Sequence, residues 1–227
     1  MRISEIFYSL QGEGTLVGVP SVFVRTSGCN LRCVWCDTPY TSWSPEGEDL
    51  PLERILETVD SFHATHVVVT GGEPMIAPQI SELTNQLRRR GLHITIETAG
   101  TVNTPVDCDL MSISPKLRNS TPFEREAGRW AQQHERLRYQ PAVLRALISA
   151  YPYQLKFVIA DKEDILEVEQ MREALEASRA QILLMPEGTS AETIRQRGLW
   201  LAEICKEHGF RFSPRLHVDL WGDKRGV

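Results

Sequence analysis

The sequence lacks the hallmarks of several protein classes, and each absence narrows the function. It has no excess of basic residues, since 25 Lys and Arg stand against 30 Asp and Glu, for a formal net charge of −5. This charge disfavours a nucleic-acid-binding protein. No apolar run approaches the ~20 residues that cross a bilayer, and the first residues do not resemble a signal peptide. We therefore predict a cytoplasmic protein that contacts neither nucleic acid nor membrane.

Cysteine is also scarce, with five residues in 227. Such a small set, partly clustered, suits a reducing compartment better than a disulfide scaffold. Three of them, Cys29, Cys33 and Cys36, fall in one short run. Three thiolates hold only three corners of a four-iron cluster, whereas a ferredoxin supplies four ligands. The shortfall leaves one iron open to bind and activate a small molecule.

A zinc site is the alternative interpretation of this cysteine triplet. It would need a distant ligand such as His63 or His66, and zinc sites usually pair Cys-x2-Cys units or add a histidine at regular spacing. Here a three-residue gap is followed by a two-residue gap. Cys108 and Cys205 are the other candidates for a fourth ligand, and we expect both to be structural.

Short apolar runs that predict strands alternate along the chain with amphipathic segments that predict helices. The predicted strands are residues 21–26, 66–70, 93–97, 110–114, 154–159 and 181–185. The predicted helices are residues 51–62, a segment with Ile80 on its apolar face that stops at Gly91, a segment capped by Asp161, and one that begins in the capping box 189–192 and ends at Gly209. Such alternation predicts an α/β fold with parallel strands joined by right-handed crossovers. We expect a single domain over residues 1–227, with a helical insertion at about 117–150.

Ligands of parallel α/β sheets gather at the carboxyl ends of the strands. The cysteine run follows the first predicted strand, and the turn Gly71-Gly72-Glu73-Pro74 follows the second. Thr98 follows the third strand, and Ser114-Pro115-Lys116 the fourth. Two glycines let a backbone approach a ligand closely, and Glu73 could accept hydrogen bonds from an ammonium group. The motifs therefore converge on one rim.

The pattern Cys-x3-Cys-x-aromatic-Cys, with Trp35 as the aromatic residue, followed by Gly-Gly-Glu-Pro resembles the radical S-adenosylmethionine enzymes. Further motifs are similar to those of the 7-carboxy-7-deazaguanine synthases. These motifs are Leu10-Gln11-Gly12-Glu13-Gly14, Gly18-Val19-Pro20, Phe23-Val24-Arg25, Cys36-Asp37-Thr38, Val69-Thr70-Gly71-Gly72-Glu73-Pro74, Ile96 to Thr101, Ser112 to Lys116, Gln154 to Val158, and Trp221-Gly222-Asp223.

The resemblance implies a partial, modified (β/α) TIM-type barrel with three cofactors: a [4Fe-4S] cluster, S-adenosylmethionine and Mg²⁺. It implies conversion of 6-carboxy-5,6,7,8-tetrahydropterin to 7-carboxy-7-deazaguanine with loss of ammonia, on the path to queuosine. In this reaction a 5′-deoxyadenosyl radical takes hydrogen from C6 of the pterin. The implied partners are a one-electron reductant such as a flavodoxin and a second copy of the chain.

The resemblance also implies roles for single residues. The cluster ligands would be Cys29, Cys33 and Cys36, and the Mg²⁺ ligand would be the hydroxyl of Thr38. The substrate-binding residues would be Leu10, Gln11, Gly12, Glu13, Arg25, Thr70 and Val227, of which Glu13 and Arg25 are the catalytic candidates. The S-adenosylmethionine contacts would be Trp35, Asp37, Gly72, Ser114, Pro115, Lys116, Gln154 and Lys156.

Other interpretations stay open from the sequence alone. Arg25 shares a strand face with Phe23, so it points either into a barrel or to solvent. Thr38 could merely cap a helix or turn, and Val227 could belong to a frayed terminus. At the level of function, the alternatives are a glycyl-radical-enzyme activase and a non-enzymatic zinc or iron–sulfur module. An activase would give no reason for Glu13, Arg25 and Thr38.

Overall fold

The structure is a computed structural model that describes residues 1–227. Its fold is organised around one open, nine-stranded sheet. The strands are β1 (Arg2–Leu10), β2 (Pro20–Thr26), β3 (Glu48–Asp49), β4 (His66–Gly71), β5 (His93–Thr98), β6 (Leu110–Ile113), β7 (Tyr153–Ile159), β8 (Ile182–Pro186) and β9 (Arg211–Phe212). Their order is β3-β1-β2-β4-β5-β6-β7-β8-β9. All neighbours from β2 to β9 are parallel, and β1 is antiparallel to both β2 and β3. The predicted partial barrel is confirmed.

Eight helices accompany the sheet. They are α1 (Pro39–Ser42), α2 (Leu52–Asp60), α3 (Ile80–Arg89), α4 (Ala131–Leu137), α5 (Pro141–Ala150), α6 (Asp164–Leu175), α7 (Ala191–His208) and α8 (Leu216–Trp221). The segment that was predicted as an insertion, residues 117–150, contains α4 and α5. None of the helices has the length and apolar character required to span a membrane.

The two faces of the central strands have different chemistry. Side chains alternate between faces along a strand, so Val24 and Phe157 enter the main apolar core, where each is fully buried. Their neighbours Arg25 and Lys156 line a cavity on the other face. The main core includes 32 buried side chains from the sheet and the surrounding helices. Apolar burial therefore holds the helices on the outer face, and polar groups occupy the inner one.

Most predicted elements are confirmed within one to three residues, with two errors at helix starts. Asp161 does not cap α6; instead the Asp164 carboxylate accepts hydrogen bonds from the backbone amides of Ala160 and Asp161, at 2.8 and 2.9 Å. The α7 cap is Ser190, whose Oγ accepts from the Thr193 amide at 3.2 Å. The capping-box prediction placed this cap one residue too early. The sequence prediction also omitted β1, an antiparallel strand with few buried residues.

Candidate active site

A cavity of about 240 Å³ opens where the parallel strands end. Its wall includes most of the residues predicted from the motifs. These are Leu10, Gln11, Gly12, Glu13, Arg25, Cys29, Cys33, Trp35, Cys36, Asp37, Thr38, Thr70, Gly72, Ser114, Lys116, Lys156 and Val227. The motifs therefore do converge on one space, as the carboxyl-end rule predicts.

Two predicted cofactor contacts, Pro115 and Gln154, do not line this cavity. The Gln154 amide lies behind the wall, where it accepts a hydrogen bond from the Thr15 amide at 2.9 Å. It also donates to Ser112 Oγ at 2.7 Å. Gln154 is 2% exposed, so its place in the fold is that of a buried brace between β7, β6 and the loop after β1.

The sulfur end of the cavity is formed by Cys29, Cys33 and Cys36, which are all free thiols. Burial raises the pKa of Cys29 to about 12 and that of Cys33 above its usual range as well. Such thiols are neutral unless a cation stabilises their thiolates. A donor set of three sulfurs, one buried and two half-buried, that line one cavity fits an iron–sulfur cluster with one iron free of protein ligands.

The distant ligands considered for a zinc site do not lie with the cysteine run, because none of His63, His66, Cys108 and Cys205 lines the cavity. His66 begins β4, at the end of the strand opposite to the cavity, and His63 precedes it on the surface. Cys205 belongs to the main core, and Cys108 packs against it, as predicted for structural cysteines.

The glycine turn after β4 lies against the cysteine loop. A Cβ on Gly72 would stand 2.7 Å from the Cys29 Cβ and would collide with the carbonyl oxygen of Gly28. Gly71 has a φ of +145°, a conformation that favours glycine. Gly72 therefore allows the turn to pack against the cysteine loop, whereas a Cβ on Gly71 would collide with Thr26 at the end of β2.

Glu73 does not face the cavity, contrary to its predicted role as an ammonium acceptor. Its side chain is fully buried and accepts hydrogen bonds from Thr98 Oγ1 at 2.7 Å and from the amides of Ala99 and Met75 at 2.8 and 3.0 Å. Burial raises the pKa of this carboxyl group despite those bonds. Glu73 therefore fastens the glycine turn to the end of β5.

The opposite end of the cavity carries a buried network of charges around Glu13. Lys156 Nζ lies 2.6 Å from one oxygen of Glu13 and 3.0 Å from an oxygen of Glu97. Arg215 Nε lies 3.1 Å from the other oxygen of Glu13. Burial alone would raise the pKa of Glu13, but the charges of Lys156 and Arg215 outweigh it and hold the pKa well below its usual range. We call this group of four side chains the carboxylate end.

Lys156 was expected beside S-adenosylmethionine, yet its ammonium group pairs with two carboxylates at the carboxylate end. Burial opposes its charge, but Glu13 and Glu97 raise its pKa above the usual range. Only 4% of its side-chain surface is exposed, so these pairs have little solvent screening. Lys156 therefore holds the Glu13 carboxylate in a fixed orientation.

Arg215, which the motifs did not point to, joins three loops. Besides Glu13, its guanidinium donates to the Asp37 carboxylate and to the carbonyl oxygen of Gly188. Asp37 directly follows the last cysteine of the run. Burial would raise the pKa of Asp37, but Arg215 outweighs it and lowers the pKa. One buried side chain therefore links the carboxylate end to the sulfur end.

His217 also lines the cavity and was missed by the sequence reasoning. Its ring packs directly on Gly12, where a Cβ would have no room. Burial lowers the pKa of His217, so the imidazole is neutral at pH 7. Arg215 and His217 lie after the last predicted helix, where no strand-end rule applies. Glu97 carried a signal, since it alternates with the buried Ile96 near the end of a predicted strand.

Arg25 faces the cavity and not solvent, which settles the alternative left open by the strand pattern. Its Nε lies 2.6 Å from Glu5. Its guanidinium carbon lies 5.6 Å from the centre of the Phe7 ring, which stacks on Phe23. The pair with Glu5 uses Nε alone, so the two Nη groups have no protein partner.

Polar groups also border the sulfur end. Lys116 Nζ donates to Ser114 Oγ at 2.8 Å and lies 5.8 Å from the centre of the Trp35 ring. Thr38 Oγ1 lies 3.8 Å from Cys36 Sγ. Thr38 stands at the N-cap position of α1, but its side chain makes no capping hydrogen bond. The hydroxyl is therefore not committed to helix capping.

Val227 lines the cavity because the preceding tail is fixed to β1. Arg225 lies 3.1 Å from Glu5 and 2.9 Å from Glu46, and its guanidinium stacks 3.9 Å from the centre of the Tyr40 ring. Glu5 thus pairs with both Arg225 and Arg25. The tail is held by ion pairs and a cation–π contact and is not frayed.

Comparisons with known proteins agree with this site. Residues 23–115, which include the cysteine run and the glycine turn, match the Radical SAM superfamily. The chain is 44% identical to the 7-carboxy-7-deazaguanine synthase of Halobacterium salinarum, with 98% of this chain and 91% of the relative covered. It is 45% identical to the protein of that name from Rhodopirellula baltica, with 100% and 89% covered.

A solved structure gives the same assignment. The crystal structure of QueE from Escherichia coli has a TM-score of 0.69 and 27% sequence identity, and the match covers 95% of this chain and 94% of that one. These relatives are named as synthases, so they support neither of the alternatives, a glycyl-radical-enzyme activase or a non-enzymatic metal module. By its sequence over 91% and 89% of the length of these two relatives, the chain belongs to the 7-carboxy-7-deazaguanine synthase family of radical SAM enzymes.

Proposed function

We propose that this chain converts 6-carboxy-5,6,7,8-tetrahydropterin to 7-carboxy-7-deazaguanine with loss of ammonia, a carbon–nitrogen lyase reaction of queuosine biosynthesis. The observation that carries this proposal is the 44–45% identity, along nearly the whole chain, to proteins of that name. The two chemically distinct ends of the cavity support it. One end suits a metal cluster, and the other suits a polar heterocycle.

The sulfur end would hold the cluster through Cys29, Cys33 and Cys36, with S-adenosylmethionine on the open iron. When bound, the cluster supplies the electron that cleaves S-adenosylmethionine to a carbon radical. The chain's own groups would bind the rest of that molecule. They are Trp35, Asp37, the backbone at Gly72, and the Ser114–Lys116 pair, all of which line the cavity.

The carboxylate end would bind the pterin. A pterin presents an amino group and a ring N–H side by side, and both are hydrogen-bond donors. Glu13 is ionised and held on both oxygens by cations, so it is a preorganised acceptor for such an edge. Arg25, with two free Nη groups, would bind the carbonyl or carboxylate oxygens of the substrate.

Thr38 would contribute one neutral oxygen to Mg²⁺. This ion keeps several waters and binds through few protein ligands, which fits a single hydroxyl at the cavity wall that has only long contacts, 3.8 Å to Cys36 Sγ and 3.5 Å to Thr41 Oγ1. The remaining positions would go to water and the substrate carboxylate. The role of Mg²⁺ would be to position that carboxylate and to stabilise its charge.

The protein's contribution to the reaction is placement and protection. The cavity would hold C6 of the pterin facing the sulfur end, because Glu13 and Arg25 bind the far edges of the ring. A buried site also excludes water and stray hydrogen donors from a radical. The neutral imidazole of His217 lies against Gly12 and would complete the polar wall around the substrate.

The electron would come from a one-electron carrier such as a flavodoxin. Val34, between the second and third cysteines, is 39% exposed, and Arg125 donates to its carbonyl oxygen while stacking on Trp43. The Arg125 guanidinium at this exposed position beside the sulfurs would pair with a carboxylate of an acidic donor. Five free cysteines fit a reducing cytoplasm. We also propose a homodimer, which sedimentation velocity would test.

Anaerobic turnover tests the reaction directly. The reconstituted protein would be incubated with 6-carboxytetrahydropterin, S-adenosylmethionine, Mg²⁺ and dithionite, and the products would be analysed by mass spectrometry. We expect 7-carboxy-7-deazaguanine without stoichiometric consumption of S-adenosylmethionine. Accumulation of 5′-deoxyadenosine without the deazapurine would refute the substrate and leave the superfamily chemistry intact.

A further inference from the structure

Residues 117–150 contain a buried histidine that the proposed reaction does not use. His134 lies in α4 and is 1% exposed. Its Nδ1 lies 3.1 Å from the backbone nitrogen of Arg32, and its Nε2 lies 2.8 Å from Ser120 Oγ. Arg32 directly precedes Cys33. The histidine therefore contacts the backbone of the cysteine run itself.

The neighbours of His134 determine which ring nitrogen carries the proton. The Ser120 hydroxyl donates to the Leu117 carbonyl oxygen at 2.6 Å, so its oxygen accepts the hydrogen bond from Nε2–H. Nδ1 is then unprotonated and accepts from the Arg32 amide. Burial lowers the pKa of His134 to about 4, in agreement with a neutral ring. The Arg32 amide lies in a loop and has no hydrogen-bond partner in a helix or strand. Nδ1 of His134 therefore supplies the buried acceptor for this amide.

The same segment holds the other residues between the cysteines. The Val34 amide donates to the Ser120 carbonyl oxygen at 2.8 Å, and the Trp35 indole N–H donates to the Asn119 carbonyl oxygen at 3.1 Å. Both bonds are donated from the cysteine run to residues 119–120. Together with the His134 contact, they fix the run on both sides of Cys33.

Two further contacts give the segment a firm base. Leu137, one helical turn after His134, packs on the small apolar cluster that contains Leu31 and Cys33. Arg138, with 11% of its side chain exposed, pairs with Glu167 of α6 at 2.6 Å. The segment is therefore anchored to α6 and to the apolar cluster around Leu31, and it can hold the cysteine run rigidly.

We propose that His134 is a positioning residue for the iron–sulfur centre, which holds the Cys29–Cys36 run in its ligating conformation through the hydrogen bond from the Arg32 amide to Nδ1. This gives residues 117–150 a task, namely to form the outer half of the cluster cradle. The inference rests on the proposed cluster but not on the proposed substrate. Groups that orient metal ligands from behind typically contribute 10–100-fold to metal retention.

Two conservative substitutions test the contributions of the two ring nitrogens separately. In His134→Asn the side-chain oxygen replaces the Nδ1 acceptor, whereas in His134→Gln an amide nitrogen replaces the Nε2 donor. The full-length variants would be reconstituted anaerobically, and the loss of iron and sulfide to a chelator would be timed together with the cluster's EPR signal. We expect H134N to keep the wild-type lifetime within about twofold and H134Q to lose its cluster ~10-fold faster.

His93→Asn serves as the matched control, because His93 begins β5 at the opposite end of the sheet and its Nδ1 has no partner. Unfolding temperatures of the iron-free proteins separate a damaged fold from a damaged cradle. Equal cluster lifetimes in H134N and H134Q, both long or both short, would overturn the proposal. A wild-type protein that keeps its cluster but forms no deazapurine would refute only the substrate.

Discussion

The two ends of the cavity are prepared for their ligands in different ways. At the sulfur end, the thiols stand among apolar side chains such as Leu31 and Ala99, and burial keeps those of Cys29 and Cys33 neutral until metal arrives. At the carboxylate end, Glu13, Lys156 and Arg215 are already ionised and paired. The first end is completed by its cofactor, while the second is complete in the protein alone. Changes at the two ends should therefore fail in different ways.

The strongest test of this difference is the loss of one sulfur. We expect Cys29→Ser to abolish cluster binding and product formation, because two thiolates leave two corners of the cluster without protein ligands. Iron per chain and product by mass spectrometry are the measurements. Cys205→Ser, in the main core, is the matched control and should retain iron; equal iron in both variants would contradict the assignment.

The carboxylate end should fail without losing metal. Glu13→Gln removes the charged acceptor for the pterin edge, while Lys156 keeps its pair with Glu97 and Arg215 keeps its pair with Asp37. A hydrogen bond to a charged group contributes about 1.5–3 kcal/mol, so we expect kcat/KM to fall by at least ~10-fold, with iron content unchanged. The control is Glu57→Gln, whose ion pair is exposed and contributes little. A parallel loss of iron in the Glu13 variant would show that the ends are not independent.

A smaller effect should appear at Thr38, between the two ends. Thr38→Val removes the hydroxyl while keeping the shape of the side chain, and we expect a rise of ~10-fold in the Mg²⁺ concentration for half-maximal activity. Thr38→Ser, which keeps the oxygen, should restore the wild-type value. An unchanged Mg²⁺ requirement in the valine variant would exclude Thr38 as the ligand.

The outer surface of the sulfur end should matter only for electron delivery. We expect Arg125→Glu to slow turnover with reduced flavodoxin by several-fold, more so at low ionic strength, because the charge reversal repels an acidic donor. Turnover with dithionite should stay the same. Arg195→Glu, on the exposed face of α7, is the control. An equal decrease with both reductants would indicate damage to the site and not to a docking surface.

The mildest difference between the ends should appear in the pH dependence of the iron-free protein's stability. His134 has its pKa lowered to about 4, against 6.5 for an ordinary histidine. The unfolded chain therefore binds the proton first, and stability falls as pH drops below about 6.5. We expect His134 to contribute a loss of about 1 kcal/mol between pH 8 and 6, a few degrees in Tm. H134N should remove that share and keep the shares of His66 and His217, whose pKa values are also lowered by burial. Glu13, with its lowered pKa, contributes stability that is lost only on further acidification.

Much of the fold could be predicted because its signals are local. The valine run of β4 and the apolar stripe of α2 follow from side-chain periodicity. In contrast, β1 depends on pairing with β2 and has few buried residues, so tertiary contacts decide it. The α6 start was misassigned for a similar reason, since both Asp161 and Asp164 suit a cap and only geometry shows which one accepts the loop amides.

The residues of the candidate site also form two groups: those in local sequence motifs and those that only tertiary contacts bring to the site. The cysteines, Glu13 and Arg25 stand in motifs that can be recognised in sequence. Arg215 has its role only because it meets Glu13, 202 residues away, and Asp37, 178 residues away. No local pattern carries that information. His134 is similar, because it lies in a polar segment where a histidine is normally solvated.

These long separations have a consequence for how the enzyme is made. The Cys29–Cys36 run leaves the ribosome early, but His134 follows 102 residues after Arg32 and Arg215 follows 178 residues after Asp37. At translation rates of 5–20 residues per second, Arg215 is added roughly 10–40 s later. During this interval the nascent thiols have no cradle. Iron–sulfur loading is therefore expected to await the nearly finished chain, and the thiols depend on the cell's reductants until then.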